Sequence, residues 1–126
     1  MRIVRKDDIQ SPVETQFGEK VYEMIGRPEH IGGTVNHSFV YVVIPPNGSS
    51  VAHYHRVAEE TYYMLKGKAR LVINENEFIL KPEDACLIMP GEVHQIFNIA
   101  ESGEVLEFVA VCAPAWVAED SYPVDK

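Results

Sequence analysis

His53-Tyr54-His55-Arg56-Val57-Ala58-Glu59-Glu60 and, later in the chain, Pro90-Gly91-Glu92-Val93-His94 with Asn98 four residues on, hold three histidines and a carboxylate in metal-ligand order. In an extended strand successive side chains point to opposite faces, so His53 and His55 project the same way, roughly 7 Å apart. Two imidazoles on one face can share one ion. Glu60 follows after a step that suits a turn and re-entry into the strand Thr61-Tyr62-Tyr63-Met64-Leu65, and His94 arrives from a separate strand. A closed sheet is the natural way to bring the four together.

The flanking sequence supplies such a sheet. Ser38–Ile44 is apolar and β-branched and stops at Pro45-Pro46-Asn47-Gly48, and Thr61–Leu65 stops at Lys66-Gly67-Lys68. Both read as strands. Ala69–Ile73 and Glu77–Leu80 flank Asn74-Glu75-Asn76, a hairpin turn whose asparagines suit left-handed backbone angles. Ala85–Met89, His94–Ile99 and Val105–Cys112 complete the set, with turns at Pro90-Gly91 and Ala100-Glu101-Ser102-Gly103. No stretch sustains a helical period, so the pattern favours an antiparallel sandwich or barrel over strand-helix alternation.

At 126 residues and 46% hydrophobic content, the chain suits one compact domain with one core. No apolar run is long enough to span a bilayer, and the charged start Met1-Arg2-Ile3-Val4-Arg5-Lys6-Asp7-Asp8 has no apolar signal core behind it, so a soluble, cytoplasmic protein without a membrane partner is expected. Cys86 and Cys112 each lie in an apolar strand-like run and read as buried free thiols. A net charge of -8 repels phosphate backbones, and no basic cluster offsets it, which argues against a nucleic-acid partner.

The spacing resembles the two motifs of the cupin superfamily over about Phe39 to Cys112. The first runs Gly, five residues, His-x-His, three or four residues, Glu, six residues, Gly, and His53, His55, Glu60 and Gly67 match it. That register selects Glu60 over Glu59, which should then face out. In the second, Gly91, His94 and Asn98 match. Three positions depart: Gly48 is one residue too close to His53, Met89 stands where proline is expected, and Glu83-Asp84 replaces a Gly-Asp turn. None removes a ligand. The resemblance implies an all-β double-stranded β-helix, or jelly-roll barrel, as a single domain over 1–126. Its core would span about 38–112, between an N-terminal arm and a C-terminal tail. Such arms often pair with a second barrel, so a homodimer is expected.

Several imidazoles and a carboxylate converging on one interior carry a large desolvation cost without a cation or full hydrogen bonding, so His53, His55, Glu60 and His94 are expected to ligate one divalent transition-metal ion, the alternative being satisfied polar residues of a barrel or its surface. His30 and His37 lie outside the motif and are expected to be exposed or structural. Mn, Fe, Co, Ni, Cu and Zn all suit three imidazoles and one carboxylate, and four ligands on an octahedral ion leave two cis positions open. By alternation Tyr62 and Met64 should follow Glu60 inward, and Ile96 and Asn98 should follow His94. Tyr62 is the candidate catalytic residue beside the ligands, or else a core aromatic. Arg70 is a solvated strand arginine or a contact for an anionic substrate, and Asn98 supports the fold. Fold does not choose function. The leading expectation is a metal-dependent enzyme acting on a small oxygenated metabolite by isomerase or epimerase, lyase or dioxygenase chemistry. The alternative is a non-catalytic metal-containing module that binds a sugar or other small ligand. A titratable group beside the open positions would favour the enzyme, and an apolar pocket closed by Trp116 would favour binding.

Overall fold

Strict inside-outside alternation along the longer strands builds two facing antiparallel sheets, the double-stranded β-helix expected from the motifs. In the computed structural model, which describes residues 1–125, the strands are β1 (Val13–Glu14), β2 (Lys20–Ile25), β3 (Ser38–Ile44), β4 (His53–Tyr54), β5 (Glu59–Lys66), β6 (Ala69–Ile73), β7 (Asn76–Leu80), β8 (Ala85–Ile88), β9 (His94–Asn98), β10 (Leu106–Ala113) and β11 (Tyr122–Pro123). One sheet has the order β1-β2-β3-β10-β5-β8 and the other β11-β4-β9-β6-β7. Among the described residues no helix is long and apolar enough to cross a membrane.

The interior is graded in polarity along each strand. β10 turns Leu106, Phe108, Ala110 and Cys112 inward, and its partners continue the layers: Ile44 beside Leu106, Met64 beside Phe108, Tyr62 beside Ala110, and both Ser38 and Glu60 beside Cys112. Ile44, Leu71, Ile96, Leu106 and Phe108, each no more than 1% exposed, fill one end with a dry core, where burial supplies about 1.5–3 kcal/mol per large side chain. The opposite end collects the polar inward residues Glu60, His94, Cys112 and Ser38. Glu59 faces out and Tyr62, Met64, Ile96 and Asn98 face in, as alternation requires.

Several local readings change. Asn76 opens β7, so the hairpin turn is Asn74-Glu75 alone, with Asn74 left-handed at φ 55. β4 spans only two residues and His55 lies just past its end. Both arms contribute strands to the chain's own sheets, β2 pairing with β3 and β11 with β4. Two-residue strands are too short to show a period, which is why β1 and β11 were invisible as alternation. Cys112 is buried but Cys86 only half-buried, and both are free thiols.

The motif departures are absorbed locally. Gly48 is held by space, since a Cβ there would lie 2.8 Å from the Phe17 carbonyl oxygen. The Met89 N–H, which proline would lack, donates to Glu92 Oε1 at 2.7 Å. Glu83 takes the left-handed angle expected of the replaced glycine, φ 76.

Candidate metal centre

Two sheets contribute to the polar end of the barrel. His53 on β4 is the direct cross-strand partner of His94 on β9, and Glu60 reaches toward them from β5 in the facing sheet. His55 joins from the loop after β4. The four side chains are brought together: one ligand atom from each of His53, His55, Glu60 and His94 lies within 4.8 Å of the others.

The tautomers follow from backbone contacts. Nδ1 of His53 faces Val51 O at 2.7 Å, Nδ1 of His55 faces Asp120 O at 2.9 Å and Nδ1 of His94 faces Glu92 O at 3.0 Å. A carbonyl only accepts, so each Nδ1 carries the proton and each Nε2 keeps its lone pair. Glu60 Oε1 lies 3.1 Å from His94 Nε2 and 3.4 Å from His55 Nε2. Lone pairs facing a carboxylate oxygen at these distances repel unless a cation or a proton sits among them. His55 Nε2 in particular is buried without a hydrogen-bond partner. This orphaned acceptor, together with a donor set of three imidazoles and one carboxylate, fits a borderline divalent ion.

Without an ion, the same nitrogen atoms compete for protons. Burial, reinforced by His94, pushes His53 down to about 4 and keeps it neutral. Burial also opposes charge on His55, but the Glu60 carboxylate and the Asp120 carbonyl outweigh it and raise its affinity for a proton. Burial would lift Glu60, yet His55 and His94 hold it well below the usual carboxylate range. Its other oxygen, Oε2, accepts from the Cys112 thiol at 3.3 Å. Burial first, and then Glu60, push that thiol far up, so it remains a donor.

The cluster opens into a cavity of about 470 Å³. Val42, Phe108 and Ala110 form an apolar wall, while the N-terminal arm closes another side with Glu19, just before β2, and with Val21 and Glu23 on it. Glu19 accepts from Thr15 Oγ1 at 3.3 Å. Burial, with a smaller push from Glu60, raises its carboxyl to about 7 against the pull of Thr15. Tyr62 also lines this cavity, its ring 4.7 Å from that of Phe108 and 6.2 Å from that of His94. Burial, then the charges of Glu60 and Glu19, keep its phenol protonated.

Other candidates lie elsewhere. Arg70 pairs with Glu77 at 2.9 Å and stacks over Phe97, away from the cavity. Asn98 donates to Ile44 O and Glu104 O and accepts from Ala100 N, tying down the β9–β10 connection. His30 and His37 are exposed; His30 lines the cavity outside the ligand cluster. Trp116, 41% exposed, borders the cavity. Glu19, Asp120 and the Cys112–Glu60 contact were missed by sequence reasoning. An acidic residue just before β2 looks like part of a solvated face, and nothing local marks the other two.

The family model described as the cupin domain matches residues 40–112. An uncharacterized protein of Methanocaldococcus jannaschii is 28% identical over 123 residues, covering 96% of this chain and 94% of its own. Among solved structures, a Klebsiella pneumoniae protein with a double-stranded β-helix domain superposes with a TM-score of 0.76 at 22% identity, over 99% of this chain and 93% of that one. A Thermotoga maritima protein described as a predicted oxalate decarboxylase gives 0.73 at 26% identity, over 89% and 98%.

Proposed function

The chain belongs to the cupin family, and from that premise we propose that it is a metal-dependent enzyme that moves a proton on a small oxygenated molecule, an isomerase, epimerase or lyase. The observation that carries this reading is Glu19: a carboxyl in the same cavity as the histidine cluster, with its proton affinity raised to about 7. A general base works best when its pKa lies near the operating pH. His53, His55, Glu60 and His94 are proposed as the ligands. The divalent ion they hold would supply Lewis acidity to substrate oxygens. Glu19 takes a proton from the carbon beside a substrate carbonyl. The C–H electron pair moves toward the carbonyl oxygen; Glu19 then returns the proton to the same carbon in an epimerisation, to the former carbonyl carbon in an isomerisation while the neighbouring hydroxyl's proton passes to the carbonyl oxygen, or to a departing hydroxyl in an elimination. Tyr62, a neutral phenol, donates a hydrogen bond to the substrate, and the Val42–Phe108–Ala110 wall excludes water. A homodimer is part of the proposal, supported by Tyr63, Leu65 and Leu87, which stand 40%, 41% and 53% exposed on the strands β5 and β8.

Elemental analysis of natively purified protein, followed by incubation in D2O with a panel of hydroxyketones and aldoses, tests the reading. The expected result is bound transition metal and deuterium appearing at the carbon next to the carbonyl. Metal-bound protein without exchange, but with saturable ligand binding, would favour the non-catalytic module that the apolar wall and Trp116 also suit. Oxygen uptake would select a dioxygenase instead.

A further inference from the structure

Resting on that reading, we infer that the cavity admits a small oxygen chelator whose remainder is apolar and either neutral or positively charged, and that it turns away carboxylates and phosphates. Three carboxylates line the cavity, Glu19, Glu23 and Glu60, and among the described residues no lysine or arginine does. The basic residues nearest in sequence have other partners. Lys20 pairs with Glu14 at 3.6 Å, Arg27 Nε donates to Ala115 O at 3.2 Å, and Arg56 lies over the Tyr122 ring at 4.5 Å. Among the described residues, His30 is the one further lining group able to carry positive charge, and it acts electrostatically on the Glu23 carboxylate.

A divalent ion offset by Glu60 leaves one net positive charge, enough for a chelating head but not for a second anionic group. That group would leave water for an apolar wall without a cationic partner, and would meet the Glu23 carboxylate as a like charge, with Glu19 adding to the repulsion as it ionises. A tail bearing an ammonium group has the opposite balance. The inference thus separates this chain from the oxalate chemistry ascribed to its Thermotoga maritima likeness, because the second carboxylate of a dianion finds no arginine here.

Three catechols test it: one with an ammonium tail (dopamine), one with a neutral methyl tail (4-methylcatechol) and one with a carboxylate tail (3,4-dihydroxyphenylacetate). They share one chelating head and differ in tail charge. Their binding to the zinc-loaded full chain is measured by calorimetry under nitrogen at neutral pH, with His94→Ala as the control for binding away from the ion. The ammonium and methyl tails should bind at least about tenfold more tightly than the carboxylate tail, and Glu23→Gln should shrink that gap. Equal affinities, a preference for the carboxylate tail, or a gap unmoved by Glu23→Gln would each overturn the inference. If zinc binds and no catechol does, the inference falls while the metal centre stands. If zinc itself fails to bind, the proposed function falls with it.

Discussion

Asp120 holds His55 at both ends of a short loop: its backbone carbonyl takes the Nδ1–H of His55 at 2.9 Å, and its carboxylate accepts the N–H groups of Arg56, Val57 and Ala58 at 2.9, 3.0 and 3.0 Å. These contacts draw residues 55–58 out of β4 and aim the His55 ring at Glu60. Although burial slightly opposes its charge, the three amides keep the Asp120 carboxylate ionised below its ordinary range.

Asp120→Ala should therefore weaken zinc binding about 10- to 100-fold, the usual consequence of losing a group that orients a ligand. The backbone carbonyl survives the change, so the effect acts through the loop. Because the carboxylate is solvent-accessible, the stability cost should be only about 1 kcal/mol. Competition against a chromophoric chelator measures the first quantity; wild-type affinity would refute the positioning role.

His94→Ala removes an imidazole from a cluster whose other members remain. Metal occupancy should fall sharply while the barrel, held by the dry Leu71–Ile96–Phe108 end, still folds. A ligand at about 100 times its dissociation constant stabilises the native state by about 2.7 kcal/mol, so the wild-type melting temperature should rise with zinc and that of the variant should not. An unchanged zinc-induced rise would remove His94 from the ligand set.

Two turn substitutions should act in opposite directions. Glu83 sits at φ 76, where glycine is unstrained, and Glu83→Gly should stabilise by about 0.5–1 kcal/mol once the added chain entropy is subtracted. Gly91 sits at φ 88 and its N–H donates to His55 O at 2.7 Å. A β-branched residue there costs about 1–3 kcal/mol, so Gly91→Val should destabilise the fold and disturb His55 and His94 together. Urea melts of the metal-free protein, paired with zinc titrations, distinguish the two; a stabilised Gly91→Val would be incompatible with the turn as described.

The pH dependence of the metal-free protein carries a signature of Glu19. Its carboxyl rises from the ordinary 4.5 to about 7 on folding. A group raised in the folded state contributes stability below its unfolded value and loses it as pH climbs through the folded one. Wild type should thus be penalised above pH 7 relative to Glu19→Gln, by up to about 3 kcal/mol at 1.36 kcal/mol per pH unit. Below about pH 4.5 the neutral isostere should match it. His53, lowered to about 4, acts oppositely: its contribution is complete above about 6.5 and is lost as pH falls toward 4 in both proteins. Denaturation midpoints that keep one constant difference between the two proteins from acid to alkaline pH would show that Glu19 titrates as an ordinary exposed carboxylate.

Glu60, Tyr62 and Met64 were legible as one inward set, and His94, Ile96 and Asn98 as another, because the two-residue period of a strand is a property of the local backbone that neighbouring residues reveal. The ligand spacing and the strands on either side were legible for the same reason. Other features depend on residues far apart in sequence. Asp120 reaches His55 across 65 positions, Cys112 meets Glu60 across 52, and Glu19 enters the cavity only because β2 adds to the sheet between β1 and β3. In the tertiary structure the arms pair with β3 and β4, and one of them walls the cavity. The four ligands follow from periodicity and motif, which are written in sequence. The charge that faces a bound molecule follows from which edges close over the barrel, and backbone hydrogen bonding between strands carries no residue-specific signature by which a sequence could announce it.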